Sequence, residues 1–291
     1  MAIYHLSAKV ISRATGRSAV ACAAYRSASV LREFVTGKTF DYTRREAVDH
    51  SEIIAPADVP AWMLDRESLW NGVEAAEKRR DAQLSREIEI GLPRELNEIR
   101  RLELVRSFVR ENFVTKGMIA DVAIHCPNAR DGGEQPHAHI MLTLRVLTGD
   151  GFGLKNRDWN QREQLEHWRE QWAIEANRAL EREGSAERID HRSYEARGIN
   201  REPEPKLGSL VARSERDAAA TAKRLGVEYK PFTERAQMWL AVRARNQVRQ
   251  KIVELLRWVA QARERLDLLV QRLKEVQRQH CHVGQDRELD E

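Results

Sequence analysis

Two histidines separated by one small residue, His137 and His139, lie in a segment with the alternation of a β-strand. Because successive side chains of a strand point to opposite faces, both imidazoles are expected on the same face. His125 ends the preceding predicted strand, so a hairpin would bring it beside the other two. Three neutral imidazoles on one face can bind a metal ion and leave positions open for substrate or water. The alternative is a set of ordinary polar residues on an exposed strand.

The identity of such a metal stays open at this point. Three histidine ligands favour zinc or another transition metal. Phosphate chemistry more often uses Mg²⁺ or Mn²⁺, and the residue types do not decide between these ions.

A tyrosine is the candidate nucleophile. Tyr25 lies in the small-residue segment AVACAAYRSAS, where a DNA strand or a sheet could approach closely. A tyrosine hydroxyl can attack covalently once it is activated. The alternative is a helical tyrosine that packs its ring on the core.

Glu87 and Glu89 share one face of the strand SREIEIGLP, opposite Ile88 and Ile90. A carboxylate there could accept the proton of the tyrosine or support a metal-bound histidine from behind. The alternative is the solvent face of a half-buried strand. Nucleotide-binding signatures of the GxxxxGK[ST] and GxGxxG types, the HExxH signature of zinc proteases and a Ser-His-Asp pattern are all missing from the chain.

The elements that must position these residues alternate between α and β up to about residue 190. Periodicity and capping residues predict helices over residues 18–34, 65–80, 96–112 and 159–182. Two-residue alternation predicts strands over residues 3–10, 85–93, 118–125 and 137–147.

The last third of the chain differs in charge and pattern. The whole chain has 291 residues and a net charge of +4, but residues 208–279 carry +8, whereas residues 1–207 carry −1. The proline-containing segment GINREPEPKLG marks a boundary, which predicts one domain over residues 1–200 and a basic helical extension over residues 201–291. Apolar residues recur there at heptad spacing, which indicates a coiled coil or a helical hairpin. They are Val248, Ile252, Leu255, Val259, Ala262, Leu266, Leu269, Leu273 and Val276.

Composition excludes several classes of protein. A hydrophobic content of 42% supports a folded core, and no segment reaches the roughly 18 apolar residues of a membrane span. The first residues, MAIYHLSAK, lack the charged and apolar regions of a secretory signal. Three scattered cysteines cannot make a disulfide framework. The sequence therefore predicts a soluble cytoplasmic protein that does not insert into membranes.

Long stretches of residues 1–200 resemble the MobA/MobL-type relaxases of the MobQ class, the nicking enzymes of plasmid mobilisation within the HUH endonuclease group. The stretches that carry the resemblance are YHLSAKVISRATGRSAVACAAYRS, LWNGVEAAEKRRDAQLSREIEIGLP, HCPNARDGGEQPHAHIMLTLR, GFGLKNRDWN, WREQWAIEANRALEREG and RIDHRS. The resemblance implies an α+β fold, a palm-like antiparallel β-sheet flanked by helices. Here the predicted C-terminal helical extension would follow it.

The resemblance also implies a site and a reaction. Tyr25 would attack one phosphodiester of the origin of transfer, leaving a 5′-phosphotyrosyl linkage, and the reverse reaction would rejoin the strand when mobilisation ends. His125, His137 and His139 would hold the divalent metal, Mg²⁺ or Mn²⁺ with Zn²⁺ as a third choice. Glu87 would be the acidic partner of the tyrosine, with Glu89 as the second choice.

Partners follow from the same resemblance. The DNA would be single-stranded origin-of-transfer DNA, held by basic side chains that neutralise phosphates; the candidates are Arg13, Arg17, Arg26, Lys155 and Arg157. Relaxosome accessory proteins, a type IV coupling protein and dimerisation through the C-terminal helices are further expectations. The expected place of action is the bacterial cytoplasm, with transfer alongside the DNA to the recipient cell. Two alternatives are a non-catalytic DNA-binding or relaxosome assembly protein and an HUH replication initiator.

Overall fold

A five-stranded antiparallel sheet forms the centre of the first part of the chain. The computed structural model describes residues 4–129 and 132–287, with the backbone alone for Ser209 and residues 276–287. The strands are β1 (Leu6–Ser12), β2 (Val30–Arg32), β3 (Thr39–Asp41), β4 (Val48–Ile54), β5 (Gln83–Gly91), β6 (Ala120–His125), β7 (His137–Leu142), β8 (Arg145–Thr148) and β9 (Gly151–Lys155). The sheet order is β1-β5-β7-β6-β4, while β2–β3 and β8–β9 form two separate hairpins.

Helices cover both faces of this sheet. On one face lie α1 (Ala19–Ser27) and α2 (Arg66–Ala76), and on the other α3 (Glu98–Asn112) and α4 (Arg162–Arg182). Two further helices, α5 (Ser209–Leu225) and α6 (Glu234–Arg287), follow along the chain. The chain divides into two compact units, Met1–His191 and Arg192–Glu291. The predicted α+β class with an antiparallel sheet and a C-terminal helical part is confirmed.

Several predicted boundaries differ from the structure. The helix predicted over residues 18–34 ends at Ser27, because Ala28 adopts the left-handed conformation (φ 51°) and its amide donates to Ala24 O. The chain then enters the β2–β3 hairpin. Strand β4 was not predicted, and the first strand begins at Leu6; residue 3 of its predicted range lies outside the described residues.

Alternation along the central strands divides the core into two layers. Ile88, Val122 and Ile140 point to the side covered by α3 and α4, where they pack with Phe108 and Trp172. The opposite side packs against α1 and α2, with Met63, Leu69 and Trp70 among its fully buried side chains. Side chains of β5, β6 and β7 that point to the second side therefore lie under α1 and α2.

Polar contacts hold the N-terminus of α1 in place on the sheet. Ser18 caps the helix by accepting from Ala21 N. Glu74 of α2 accepts a hydrogen bond from Ala19 N at 2.8 Å, and it also pairs with Arg13 at 2.6 Å. Because Glu74 is 5% exposed, this network links α1, α2 and the end of β1 in a region with little solvent screening.

A buried carboxylate anchors α2 on the sheet. Asp121 of β6 accepts from Trp70 Nε1 at 2.8 Å and from Arg66 Nε at 2.9 Å, both from α2. Asp121 is 5% exposed, so it depends on these donors for the hydrogen bonds that water would otherwise supply. The contact holds α2 at one position over β6.

A second buried carboxyl makes stability depend on pH. Glu175 of α4 is 8% exposed, and its Oε1 accepts from Asn112 Nδ2 at 3.0 Å. Burial raises the pKa of Glu175 to about 7, whereas an unfolded glutamate has a pKa near ~4.3. The folded state thus holds the proton more tightly, so its stabilising effect is complete below about pH 4 and is lost as pH rises through about 7.

We expect Glu175→Gln to stabilise the protein at pH 8, by up to about 3 kcal/mol, and to do so much less at pH 5. Glutamine keeps an oxygen acceptor for Asn112 and cannot ionise. Thermal unfolding followed by circular dichroism at the two pH values measures the difference. Glu170→Gln on the exposed side of α4 is the matched control, and a gain for Glu175→Gln that is equal at both pH values would contradict the prediction.

The unit Arg192–Glu291 is dominated by α5 and α6. The predicted heptad region forms part of α6, and its apolar side chains are exposed; Ile252, Leu266 and Leu273 are examples. The side chain of Val276 lies outside the described residues. Among the described helices, none combines the length and the apolar character that crossing a membrane requires.

Candidate active site

The strand register brings the three predicted histidines together. His125 of β6 is the antiparallel partner of His137 of β7, and His139 lies two residues farther along the same face. Their ring centroids are 5.3 Å (His125–His137), 4.8 Å (His125–His139) and 5.1 Å (His137–His139) apart. One ring nitrogen from each lies within 4.8 Å of the others. The face is the one covered by α1 and α2, so the cluster lies at the edge of the helical layer that carries Tyr25.

Each imidazole has one nitrogen bound to an oxygen acceptor. His125 Nε2 donates to the carbonyl oxygen of Arg26 at 2.7 Å, and His137 Nδ1 donates to the carbonyl oxygen of Gln135 at 2.9 Å. His139 Nδ1 donates to Glu87 Oε1 at 2.8 Å. Since each acceptor fixes the proton on that nitrogen, the lone pairs are left on His125 Nδ1, His137 Nε2 and His139 Nε2. This is the arrangement that metal-binding histidines require, so the residues fit a divalent metal.

The surroundings of His125 and His137 favour their neutral forms by lowering the pKa of each ring. Burial lowers the pKa of His125 to about 4 and outweighs the hydrogen bond to the Arg26 carbonyl, which acts in the opposite direction; the neighbouring His139 and Arg45 contribute to the lowering. Burial also lowers the pKa of His137. A metal binds the neutral imidazole, so these shifts preserve the binding form at neutral pH and somewhat below it.

Glu87 lies behind His139. It is 3% exposed, and its Oε1 accepts from both His139 Nδ1 and Arg26 Nε, the latter at 2.6 Å. Burial alone would raise the pKa of Glu87, but the hydrogen bonds from His139 and Arg26 outweigh it and hold the pKa at about 2. Glu87 is therefore an anion that orients the His139 ring. Its predicted role as the acidic partner of Tyr25 stays a prediction, since its described hydrogen bonds go to these two residues.

Tyr25 stands at the surface of α1 with 47% of its area exposed. Its ring meets Tyr42 edge-on at 5.2 Å, and the guanidinium carbon of Arg45 lies 3.8 Å from its centroid. The carbonyl that binds His125 belongs to Arg26, the residue after Tyr25. One peptide unit therefore links the candidate nucleophile to the histidine cluster, while the exposed ring stays accessible to a large substrate.

The second acidic candidate, Glu89, lies opposite His139 in the strand register, but its described polar contacts are with other residues. Glu89 accepts from Lys9 Nζ at 3.0 Å and faces His5 Nε2 at 3.5 Å. These neighbours lower the pKa of Glu89, with the hydrogen bond to His5 as the largest cause. Glu89 thus pairs with Lys9 of β1 and with His5 just before that strand, and no described hydrogen bond joins it to the three histidines.

The predicted DNA-binding residues divide into two groups. Arg13, Arg26 and Lys155 use their cationic groups within the protein: Arg13 pairs with Glu74, Arg26 with Glu87, and Lys155 with Glu77 at 3.0 Å. Each of these cations is thus committed to a structural contact, which charge and position in the sequence do not reveal.

Arg17 and Arg157 form the second group, since both are exposed. Arg157 lines an open groove whose other basic members are Arg79, Arg145 and Lys155. A contact between any of the five predicted residues and DNA stays a prediction.

Arg45 is the site residue that sequence reasoning missed. It lies between β3 and β4, it covers the Tyr25 ring, and its Nη2 lies 3.4 Å from His125 Nδ1. The local segment TRREA carries no motif. Only long-range packing brings this arginine to the site, so no local signal could have found it.

The chain is similar in sequence and in fold to known proteins. A family model described as the MobA/MobL family matches residues 17–217. The "Mobilization protein MobL" of Acidithiobacillus ferridurans is 41% identical over 254 residues, which cover 77% of this chain and 66% of that protein. The "Conjugal transfer protein TraA" of Agrobacterium fabrum is 39% identical over 239 residues, 72% of this chain.

The chain spans 21% of the length of that TraA protein. Among solved structures, one described as "Molecular Basis of Vancomycin Resistance Transfer in Staphylococcus aureus" superposes with a TM-score of 0.62 at 37% identity. The match covers 66% of this chain and all of the other.

Proposed function

The chain belongs to the MobA/MobL family, and from that premise we propose that it is a site- and strand-specific DNA relaxase. The observation that carries the proposal is the link between Tyr25 and the histidine cluster through the Arg26 carbonyl, which binds His125 at 2.7 Å. An exposed phenol next in sequence to the residue that binds His125, together with three clustered imidazoles that each leave one ring nitrogen unprotonated, suits attack on a phosphodiester. The names of the relatives, mobilisation and conjugal transfer proteins, point to the origin of transfer of a plasmid.

The proposed reaction is a transesterification. Tyr25 Oη forms a bond to the phosphorus, the bond from phosphorus to the 3′-oxygen breaks, and the phenolic proton passes to an acceptor as the 3′-hydroxyl gains one. The product is a 5′-phosphotyrosyl linkage and a free 3′ end. Because one phosphodiester replaces another, the reverse step rejoins the strand without a nucleoside triphosphate.

The residues around Tyr25 would have different roles in this reaction. His125, His137 and His139 would hold a divalent ion, Mg²⁺ or Mn²⁺ with Zn²⁺ as the further choice, which supplies positive charge to the phosphoryl oxygens. Glu87 holds His139 in the binding tautomer and keeps Arg26 in place. The exposure of Tyr25 admits a single DNA strand across the face of α1.

The proposed partner is single-stranded origin-of-transfer DNA. Relaxosome accessory proteins and a type IV coupling protein are proposed to join it, in the cytoplasm of a plasmid-bearing bacterium and in the recipient cell. The exposed apolar side chains of α6, such as Leu255 and Leu269, support a contact with another helix, of which a dimer is the simplest form.

A cleavage assay with a metal series tests the proposal. A labelled single-stranded oligonucleotide carrying the nick site is incubated with the protein and Mg²⁺, Mn²⁺ or Zn²⁺. We expect cutting at one position, with the protein attached to the 5′ end of the downstream fragment. Binding without cutting under every metal would favour a non-catalytic DNA-binding protein, and cutting at a replication origin in preference would favour an HUH initiator.

Deleting residues 208–291 removes most of the second unit and retains the whole of the first, Met1–His191. Both clusters of the sheet core and all the site residues lie within Met1–His191, so we expect the shortened protein to cut the oligonucleotide at the full-length rate within about twofold. Plasmid mobilisation between cells should fall, because the basic extension and its apolar face are gone. Loss of cutting in the shortened protein would show that the extension completes the catalytic unit.

A further inference from the structure

Arg45 contacts both halves of the candidate site. The residue is half-buried between β3 and β4, where its backbone amide donates to Tyr42 O at 2.9 Å. The guanidinium carbon lies 3.8 Å from the centre of the Tyr25 ring. From there Nη2 reaches to within 3.4 Å of His125 Nδ1. One cation thus spans from the candidate nucleophile to a candidate metal ligand.

Arg45 and a metal ion need the same lone pair. His125 Nε2 donates to Arg26 O, so only Nδ1 of that ring can accept a hydrogen bond or bind a metal. A guanidinium has five donors and no acceptor, and it stays charged in proteins. Arg45 therefore cannot keep its contact with His125 Nδ1 while a metal occupies that nitrogen.

Among the described residues, no carboxylate neutralises the charge of Arg45. Two other cations beside the site are neutralised, since Arg26 pairs with Glu87 and Lys9 pairs with Glu89. Within the part of the chain that the structure describes, Arg45 joins no ion pair with a carboxylate. A guanidinium held over the ring of the nucleophile by a cation–π contact is placed to meet an anion that approaches the hydroxyl.

We propose that Arg45 is a movable cation that leaves His125 Nδ1 when a divalent metal binds and then binds the DNA phosphate that Tyr25 attacks. The phosphate part rests on the proposed relaxase function; the displacement part does not. Two parallel N–H donors can hold two non-bridging oxygens of the phosphate, which fixes its position over the tyrosine. Metal binding and phosphate binding are thereby coupled through one side chain.

Metal titration without DNA tests the displacement. Arg45→Met keeps much of the side-chain length and removes the charge, and Arg44→Met, at the exposed neighbouring position, is the matched control. We expect Arg45→Met to bind Mn²⁺ about tenfold more tightly by calorimetry, because a competing cation and its repulsion are removed. Arg44→Met should change the affinity by less than about twofold. Unchanged or weaker binding by Arg45→Met overturns the displacement.

Covalent adduct formation tests the phosphate contact. At saturating Mn²⁺ we expect the maximal rate to fall at least about tenfold in Arg45→Met, to fall less in Arg45→Lys, and to stay unchanged in Arg44→Met. Full activity of Arg45→Met overturns the phosphate contact. If the methionine variant does not fold, Arg45→Lys tests the same contact, because lysine keeps the positive charge but cannot donate two parallel hydrogen bonds to two phosphate oxygens. A wild-type protein that forms no adduct contradicts the relaxase function, and the metal titration still decides the displacement.

Discussion

Tyr25→Phe is expected to abolish the covalent protein–DNA adduct, a loss of at least about a thousandfold in the rate of its formation. Phenylalanine keeps the ring, so the stacking of Arg45 and the edge contact with Tyr42 persist. Only the hydroxyl oxygen is removed, and without it no atom of residue 25 can bond to phosphorus. Non-covalent binding of the oligonucleotide should stay within about twofold of the wild type.

A denaturing gel measures the adduct directly, since a 5′-attached fragment shifts the protein band. Tyr42→Phe is the matched control, because it removes a hydroxyl from the ring that packs against Tyr25. That variant should form the adduct at close to the wild-type rate. An adduct with Tyr25→Phe would show that another residue is the nucleophile, and an adduct lost only in Tyr42→Phe would identify that tyrosine.

His137→Ala is expected to lower the cutting rate by at least about a hundredfold. Residues that merely orient a metal ligand are worth about 10–100-fold, and a ligand itself is worth at least as much. His137 is half-buried at the start of β7, and its Nδ1 contact is with the carbonyl of Gln135, which remains exposed to water. We therefore expect the loss of His137 to weaken metal binding more than it weakens the packing of the core.

Two measurements separate loss of metal from loss of fold. The thermal unfolding temperature of the His137→Ala apoprotein should match that of the wild type, while its Mn²⁺ affinity falls. His167→Ala, an exposed position on α4, is the control that removes an imidazole elsewhere. Removing the metal from the wild type with a chelator should produce the same loss of cutting, and excess Mn²⁺ should restore it. Equal cutting with and without the chelator would contradict a metal-assisted reaction.

Alternation within strands made much of the site predictable. The His137-Ala138-His139 pattern, the position of His125 and the pair Glu87 and Glu89 all follow from two-residue periodicity, and the register puts them on one side of the sheet. The pairing of β5 with β7 could not be predicted, because it joins segments about fifty residues apart. That pairing is what brings Glu87 to His139.

Other errors have local causes. Strand β4 is an edge strand with polar His50, Ser51 and Glu52, so it lacks the apolar alternation of a buried strand. The helix predicted over residues 18–34 continued past Ser27 because the following residues have acceptable helix propensity. Gly37, in the left-handed region at φ 70°, lies in the turn of the β2–β3 hairpin, beyond the predicted end of that helix at residue 34.

Charged residues were the least predictable. A sequence shows that Arg13 is basic but not that Glu74 lies 2.6 Å from it, and the same holds for Arg26 and Glu87. Arg45 reaches the site only because the loop before β4 folds back over α1. Ion pairs between residues distant in sequence decide which cationic side chains can bind a substrate. The periodicity of apolar residues in a sequence does not predict those ion pairs.

The bond from His125 to the carbonyl oxygen of Arg26 also bears on how such a site tolerates sequence drift. Every amino acid brings the same backbone oxygen, so no replacement at position 26 removes this acceptor while α1 keeps its course. Substitution there would change the partner of Glu87 but leave the imidazole oriented. The relative position of Tyr25 and the His125 ring thus depends on the backbone of α1. Substitution of the side chain at position 26 does not change it.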